Sequence, residues 1–162
     1  MKIDNKRLIL FKQNWNEAQR NQAKLNSSLT RLAATFPLQA NFLQHSSEQK
    51  IESIDAFRVR FADLQDCIGN KLFKGVLLLE EEQPTSTLDT LHKMEKRQIL
   101  PDVELWREIR HARNAFAHDY PESDQEKADT LNYAFDLAPE LEKILNNVQV
   151  YCQQQLEINL CD

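Results

Sequence analysis

The chain holds two glycines in 162 residues, where an ordinary protein of this length has about 7%. Tight hairpin turns draw on glycine for backbone angles that other residues resist, so a hairpin-rich sheet is excluded. The glycine-rich loops that cradle dinucleotides or nucleotide phosphates fall by the same count. Helix is the regular structure left. The five prolines then act as punctuation, because proline disfavours helix at the residue before it. Pro37, Pro84, Pro101 and Pro121 mark boundaries, and the fifth, Pro139, lies inside a helical pattern and is expected to kink it.

Between these marks the apolar residues recur at helical spacing. From Asn5 to Phe36 the positions Leu8, Phe11, Trp15, Ala18, Leu25, Leu29, Leu32 and Phe36 form one stripe about 45 Å long, with Gln22 as a polar member that fixes register or an oligomer contact. A second helix opens at Ser46-Ser47-Glu48-Gln49, a capping-box pattern, and continues to Leu72; Gly69 and Gly75 mark a kink or a close helix crossing. A third spans about Thr87 to Gln98. A fourth runs from Pro101-Asp102, with proline in the first turn, to His118. The last opens at Ser123-x-x-Glu126 and continues to Cys152. The expectation is an all-α fold: an antiparallel helical bundle of about five helices in a single domain, 1–162. A chain this long buries about 70% of its unfolded surface without staples.

Hydrophobic residues at 41% and charged residues at 28% are ordinary for a water-exposed domain. No run of about 18 apolar residues occurs, so no membrane partner is expected. No charged-then-apolar leader opens the chain, and Cys67, Cys152 and Cys161 make no CxxC, which points to reduced thiols and a cytoplasmic location. No His, Cys and carboxylate set has metal-ligand spacing, so neither metal nor cofactor is expected. The net charge of −5 is uneven. Residues 1–31 hold seven Lys/Arg against two Asp/Glu, whereas 119–162 hold two against ten. The two ends are either solvated faces of opposite sign, or a basic region that attracts a partner and an acidic one that repels nucleic acid.

The fourth helix carries the informative residues. With Arg113 at 0° and about 100° per residue, Trp106, Ile109 and Phe116 fall within about 60° of it. Arg113 thus points into the apolar face, where a guanidinium is costly unless it is paired, reaches solvent or lines a cleft. The paired alternative names a bundle carboxylate such as Asp89 or Asp129. Arg110, Asn114, Arg107, His118 and His111 follow from about 60° to 160°, a basic and imidazole-bearing flank. Histidine can move a proton near neutral pH and arginine can hold a phosphate, the two needs of phosphodiester cleavage. Arg113 and His118 stand about 140° apart on one helix, poorly placed to grip one phosphate alone. Two copies about a two-fold axis would bring both pairs to one cleft.

At Arg113-Asn114-Ala115-Phe116-Ala117-His118-Asp119-Tyr120 the sequence resembles the HEPN superfamily, in its HepT-type branch of toxins once described as nucleotidyltransferase substrate-binding proteins. The pattern is Arg, a polar residue, three more, then His, followed by x-Tyr. Similar wording occurs in Arg60-Phe61-x-x-Leu64-Gln65-Asp66 and in Trp106-Arg107-x-Ile109-Arg110, and with the helix order the resemblance covers most of the chain. It implies a metal-independent endoribonuclease toxin that works as a homodimer by attack of the ribose 2′-hydroxyl. His118 would be the acid/base, Arg113 would stabilise the phosphorane, and Asn114 would orient them. Arg107, Arg110 and His111 are further candidates for RNA contact. Tyr120 would take AMP from a cognate MNT-type nucleotidyltransferase antitoxin, placing negative charge beside the cleft. Ala117 stands where relatives often carry a bulkier aliphatic residue. The alternative is a non-catalytic HEPN subunit that holds a nucleotidyltransferase or its nucleotide substrate.

Overall fold

The computed structural model describes residues 2–117 and 123–161. Its regular structure is helical, and no strand occurs among the described residues. The order is α1 (Asn5–Leu32), α2 (Phe42–His45), α3 (Glu48–Cys67), a π turn (Ile68–Leu72), α4 (Phe73–Leu79), α5 (Thr87–Lys96), α6 (Val103–Ala117) and α7 (Asp124–Gln155).

The stripe of α1 is buried from Phe11 through Leu32, except that Ser28 is buried where the spacing predicts Leu29; Leu29 and Leu8 are half-buried against the core. Gln22 is buried with it. Its Nε2 donates to Asn26 Oδ1 at 2.8 Å, and its Oε1 has no partner among the described residues. The helix ends at Leu32, four residues before the expected Phe36, because Pro37 keeps the preceding turn out of helix. Phe36 still serves the core: its ring stacks on Phe135 of α7 at 4.1 Å. Asn132 of α7 pins the following segment by accepting from the Leu38 N–H and donating to the Leu38 carbonyl.

α3 starts one residue later than the capping box suggests. Ser47, rather than Ser46, is the N-cap, and its Oγ accepts from the Lys50 N–H. Beyond Cys67 the helix widens into the π turn and resumes as α4, so the apolar run extends to Leu79. Both glycines are close crossings. A Cβ on Gly69 would lie 2.9 Å from Trp106 Cζ2, and one on Gly75 would lie 2.7 Å from Phe11 Cδ2. Only a hydrogen fits there. Asp102 Oδ1 caps α6 by accepting from Leu105 N–H, so Pro101 precedes the cap and is not in the first turn. Ser123 caps α7 as its motif predicts. That helix is continuous through Pro139 and extends to Gln155.

Hydrogen bonds fix how the helices run. Lys71 to Glu17 and Arg60 to Ser28 set α1 antiparallel to the α3–α4 rod. Arg113 to Asp66 and Arg58 to Phe116 set α6 antiparallel to α3. Arg97, at the end of α5, binds Glu80 and Glu82, while Tyr151 of α7 donates to Glu80 at 2.5 Å. Burial and that hydrogen bond push the Tyr151 phenol up to about 12. The buried side chains form one connected core, with Trp15, Trp106, Phe11, Phe57, Phe61 and Phe73 among its largest members. No described helix is long and apolar enough to cross a membrane.

Candidate nucleic-acid interface

α6 presents its apolar face, Trp106, Ile109 and Ala112, to the core, and Arg113 leaves that face at its edge. Its partner is Asp66 of α3. Nε donates to Oδ1 at 3.0 Å and Nη2 to Oδ2 at 2.9 Å, the fork-on-fork geometry that fixes a guanidinium plane. The expected carboxylates are otherwise engaged: Asp89 accepts from Thr85 and pairs with Lys93, and Asp129 accepts from Gln125. Asp66 wins because α3 runs antiparallel to α6 and sets that carboxylate directly opposite the Arg113 guanidinium. The hydrogen bond to Asp66 is the main cause that holds the Arg113 pKa above its ordinary value, so the group stays a cation. Two of its five N–H groups are spent on Asp66, leaving three to donate elsewhere.

Those three donors belong to a side chain that lines a groove of about 430 Å³ between the α3–α4 rod, α5 and α6. Arg110, Asn114, Asn70 and Lys74 line the groove too, with Trp106 and Gly69 at their crossing. Thus the structure brings Arg110, Arg113 and Asn114 to one cavity. It does not bring Arg107 or His111 there. Both are exposed, and among the described residues the one ion pair of Arg107 is with Glu104, at 3.9 Å. His118 and Tyr120 lie outside the described residues.

The last turn of α6 is held from below. Phe116 meets Phe57 and Phe61 edge-on at 6.4 and 5.7 Å, in a cluster that includes Phe36 and Phe135. Arg58 of α3 covers the Phe116 ring at 5.7 Å and donates from Nη2 to the Phe116 carbonyl at 3.0 Å. A cation on a terminal carbonyl also suits the negative end of the helix dipole.

Asp66, Arg58, Asn70 and Lys74 acquire places at this site that their sequence positions alone do not assign. Asp66 had a signal, since it closes the Arg60–Asp66 wording. The others had none, because their roles depend on which helices become neighbours. Among the described residues no three His, Cys, Asp or Glu side chains gather as a metal site. Comparison of the chain with protein-family models, curated proteins and solved structures returned no match.

Proposed function

We propose that the protein is a metal-independent endoribonuclease of the HEPN type, a toxin that acts as a homodimer. The observation that carries this reading is Arg113: a cation pinned at two points by Asp66, facing a polar groove, five residues before a histidine on the same stretch of chain. A fixed guanidinium can meet charge that develops on a phosphorane without reorganising. In the proposed step His118 of one copy removes the proton of a ribose 2′-hydroxyl, whose oxygen attacks the adjacent phosphorus. The P–O5′ bond breaks, and the leaving oxygen takes a proton from the second copy's histidine. The products are a 2′,3′-cyclic phosphate and a 5′-hydroxyl. Tyr120, two residues beyond His118, is the proposed acceptor of AMP from a cognate nucleotidyltransferase antitoxin; the added negative charge would repel RNA.

The test is cleavage of RNA in excess chelator, with His118→Ala and Arg113→Ala as inactive controls and end-group analysis of the products. Tyr120→Phe should cleave yet escape silencing by ATP and the nucleotidyltransferase. The second reading, a non-catalytic subunit that holds a nucleotidyltransferase or a nucleotide, draws support from the groove itself: its described lining has cations and amides but no histidine. Binding of RNA or nucleotide by a wild-type protein that never cleaves would favour it.

A further inference from the structure

The cations of the groove are unequal. Arg113 is neutralised by Asp66, the one carboxylate among the described lining residues. Lys74 and Arg110 line the same groove, are exposed, and enter no ion pair among the described residues. In a chain of net charge −5 this leaves a local surplus of about two positive charges in one concavity, which focuses its field on an anion. Asn70, Asn114 and Thr87 add neutral hydrogen-bonding surface, while Gln65, Phe73, Thr90 and Leu91 line the groove from buried positions. Trp106 is 2% exposed, so no aromatic face is offered for a base to stack on. The volume of about 430 Å³ is near the lower end of ligand clefts, ~300–1,000 Å³. A duplex, which is read across a broad shallow surface, does not fit such a space.

We propose that this groove is the backbone track for a single RNA strand, with Lys74 and Arg110 each binding a phosphate next to the one that Arg113 meets. Asn70 and Asn114 donate hydrogen bonds to phosphate oxygens and ribose 2′-oxygens, which a 2′-O-methyl strand retains as acceptors. The inference rests on the RNA reading of the site, but it concerns where the strand lies and not whether it is cut. Because the groove reads phosphate and sugar without bases, binding is largely indifferent to sequence.

The experiment uses the full chain and a fluorescein-labelled 12-nucleotide 2′-O-methyl RNA of mixed sequence, whose blocked 2′-oxygen prevents cleavage. Anisotropy titrations are run from 50 to 300 mM salt. For a single strand, each phosphate that the protein neutralises adds about 0.7 to the slope of log K against log salt. Lys74→Gln and Arg110→Gln should each flatten the slope by about that much and weaken binding several-fold, while Lys24→Gln, the same charge change on α1, should leave the slope unmoved. Melting curves check that these surface variants fold. In parallel, ordinary RNA is tested for cleavage. A flattened slope in the groove variants without any cleavage by the wild type keeps the track and removes the nuclease reading. Cleavage by the wild type with unchanged slopes in both groove variants overturns the track and keeps the nuclease. A slope that moves with Arg107→Gln or His111→Gln instead places the strand on the outer flank of α6 and overturns it also. So does failure to bind RNA even at 50 mM salt.

Discussion

If Asp66 is what aims Arg113, then the pair is coupled in a way a double-mutant cycle can read. The two hydrogen bonds are charge-assisted and well formed, at 3.0 and 2.9 Å. Deeply buried bonds of this kind are worth about 1.5–3 kcal/mol each. Here the side chains are 27% and 41% exposed, so water already competes for them, and exposed pairs give only about 0.2–1 kcal/mol. Bidentate geometry places this pair at the upper end, about 1 kcal/mol. Asp66→Ala, Arg113→Ala and the double variant, unfolded in urea, should therefore show a coupling of about 1 kcal/mol. It should shrink in 1 M salt, where the screening length is about 3 Å. Asp66→Ala alone should lower Tm by about 2–4 °C. Under the proposed nuclease reading, its effect on RNA cleavage should be larger than its effect on folding, about 10–100-fold and chiefly in kcat, because a guanidinium displaced by an ångström would no longer meet the phosphorane. A coupling indistinguishable from zero, or full cleavage by Asp66→Ala, would refute the claim that the carboxylate positions Arg113.

Three further outcomes follow from the packing and the charges. Gly75→Ala gains about 1 kcal/mol in helix propensity, but its Cβ would meet the buried Phe11 ring at 2.7 Å, an overpacking that costs ~1–3 kcal/mol; urea unfolding should show a net loss, partly restored by Phe11→Leu. Burial raises the Cys67 and Cys152 thiols to about 11 and about 12, while Cys161 is exposed; a disulfide reagent at pH 8 should titrate one thiol per native chain and three after unfolding. Lys93 holds Glu82 below its ordinary value, and the Thr85 hydroxyl together with Lys93 does the same for Asp89. Carboxylates depressed by folding stabilise above their unfolded pKa, and that contribution is lost as pH falls; the acid limb of stability should steepen below about 4.5, and Lys93→Gln should flatten it.

The helices were legible because burial leaves a periodic trace. Phe11, Trp15, Ala18 and Leu25 declare one face of α1 without knowledge of any neighbour, and Ser123 announces the start of α7 through a local bond. The partner of Arg113 was not legible in the same way. Its place on the apolar face required a partner or a cleft, but choosing Asp66 over Asp89 and Asp129 required the neighbour of α6, a long-range fact with no periodic trace. The π turn escaped for a related reason: Gly69 signals a close crossing, whereas the added residue in that turn shows only against a coordinate frame. Lys74 is an exposed lysine in the sequence and becomes a groove residue only once α5 and α6 close over it.

That π turn behaves like a single-residue insertion absorbed by a helix that kept both flanks in place. In an uninterrupted α-helix Lys74 would stand about 80° around from Asp66; with one residue absorbed, it returns to within about 20°. The acidic anchor of Arg113 and the proposed phosphate lysine thereby fall in one row. Removing one residue of Ile68–Leu72 would restore a regular helix with both flanks in place, whereas winding all five residues into α-helix would swing everything beyond them by about 100°. Lys74 would then leave the groove, and Phe73, Val76 and Leu77, all buried, would leave the core with it. The buried face beyond the turn therefore holds the turn open: the interior tolerates loss of the extra residue but not its redistribution along the rod.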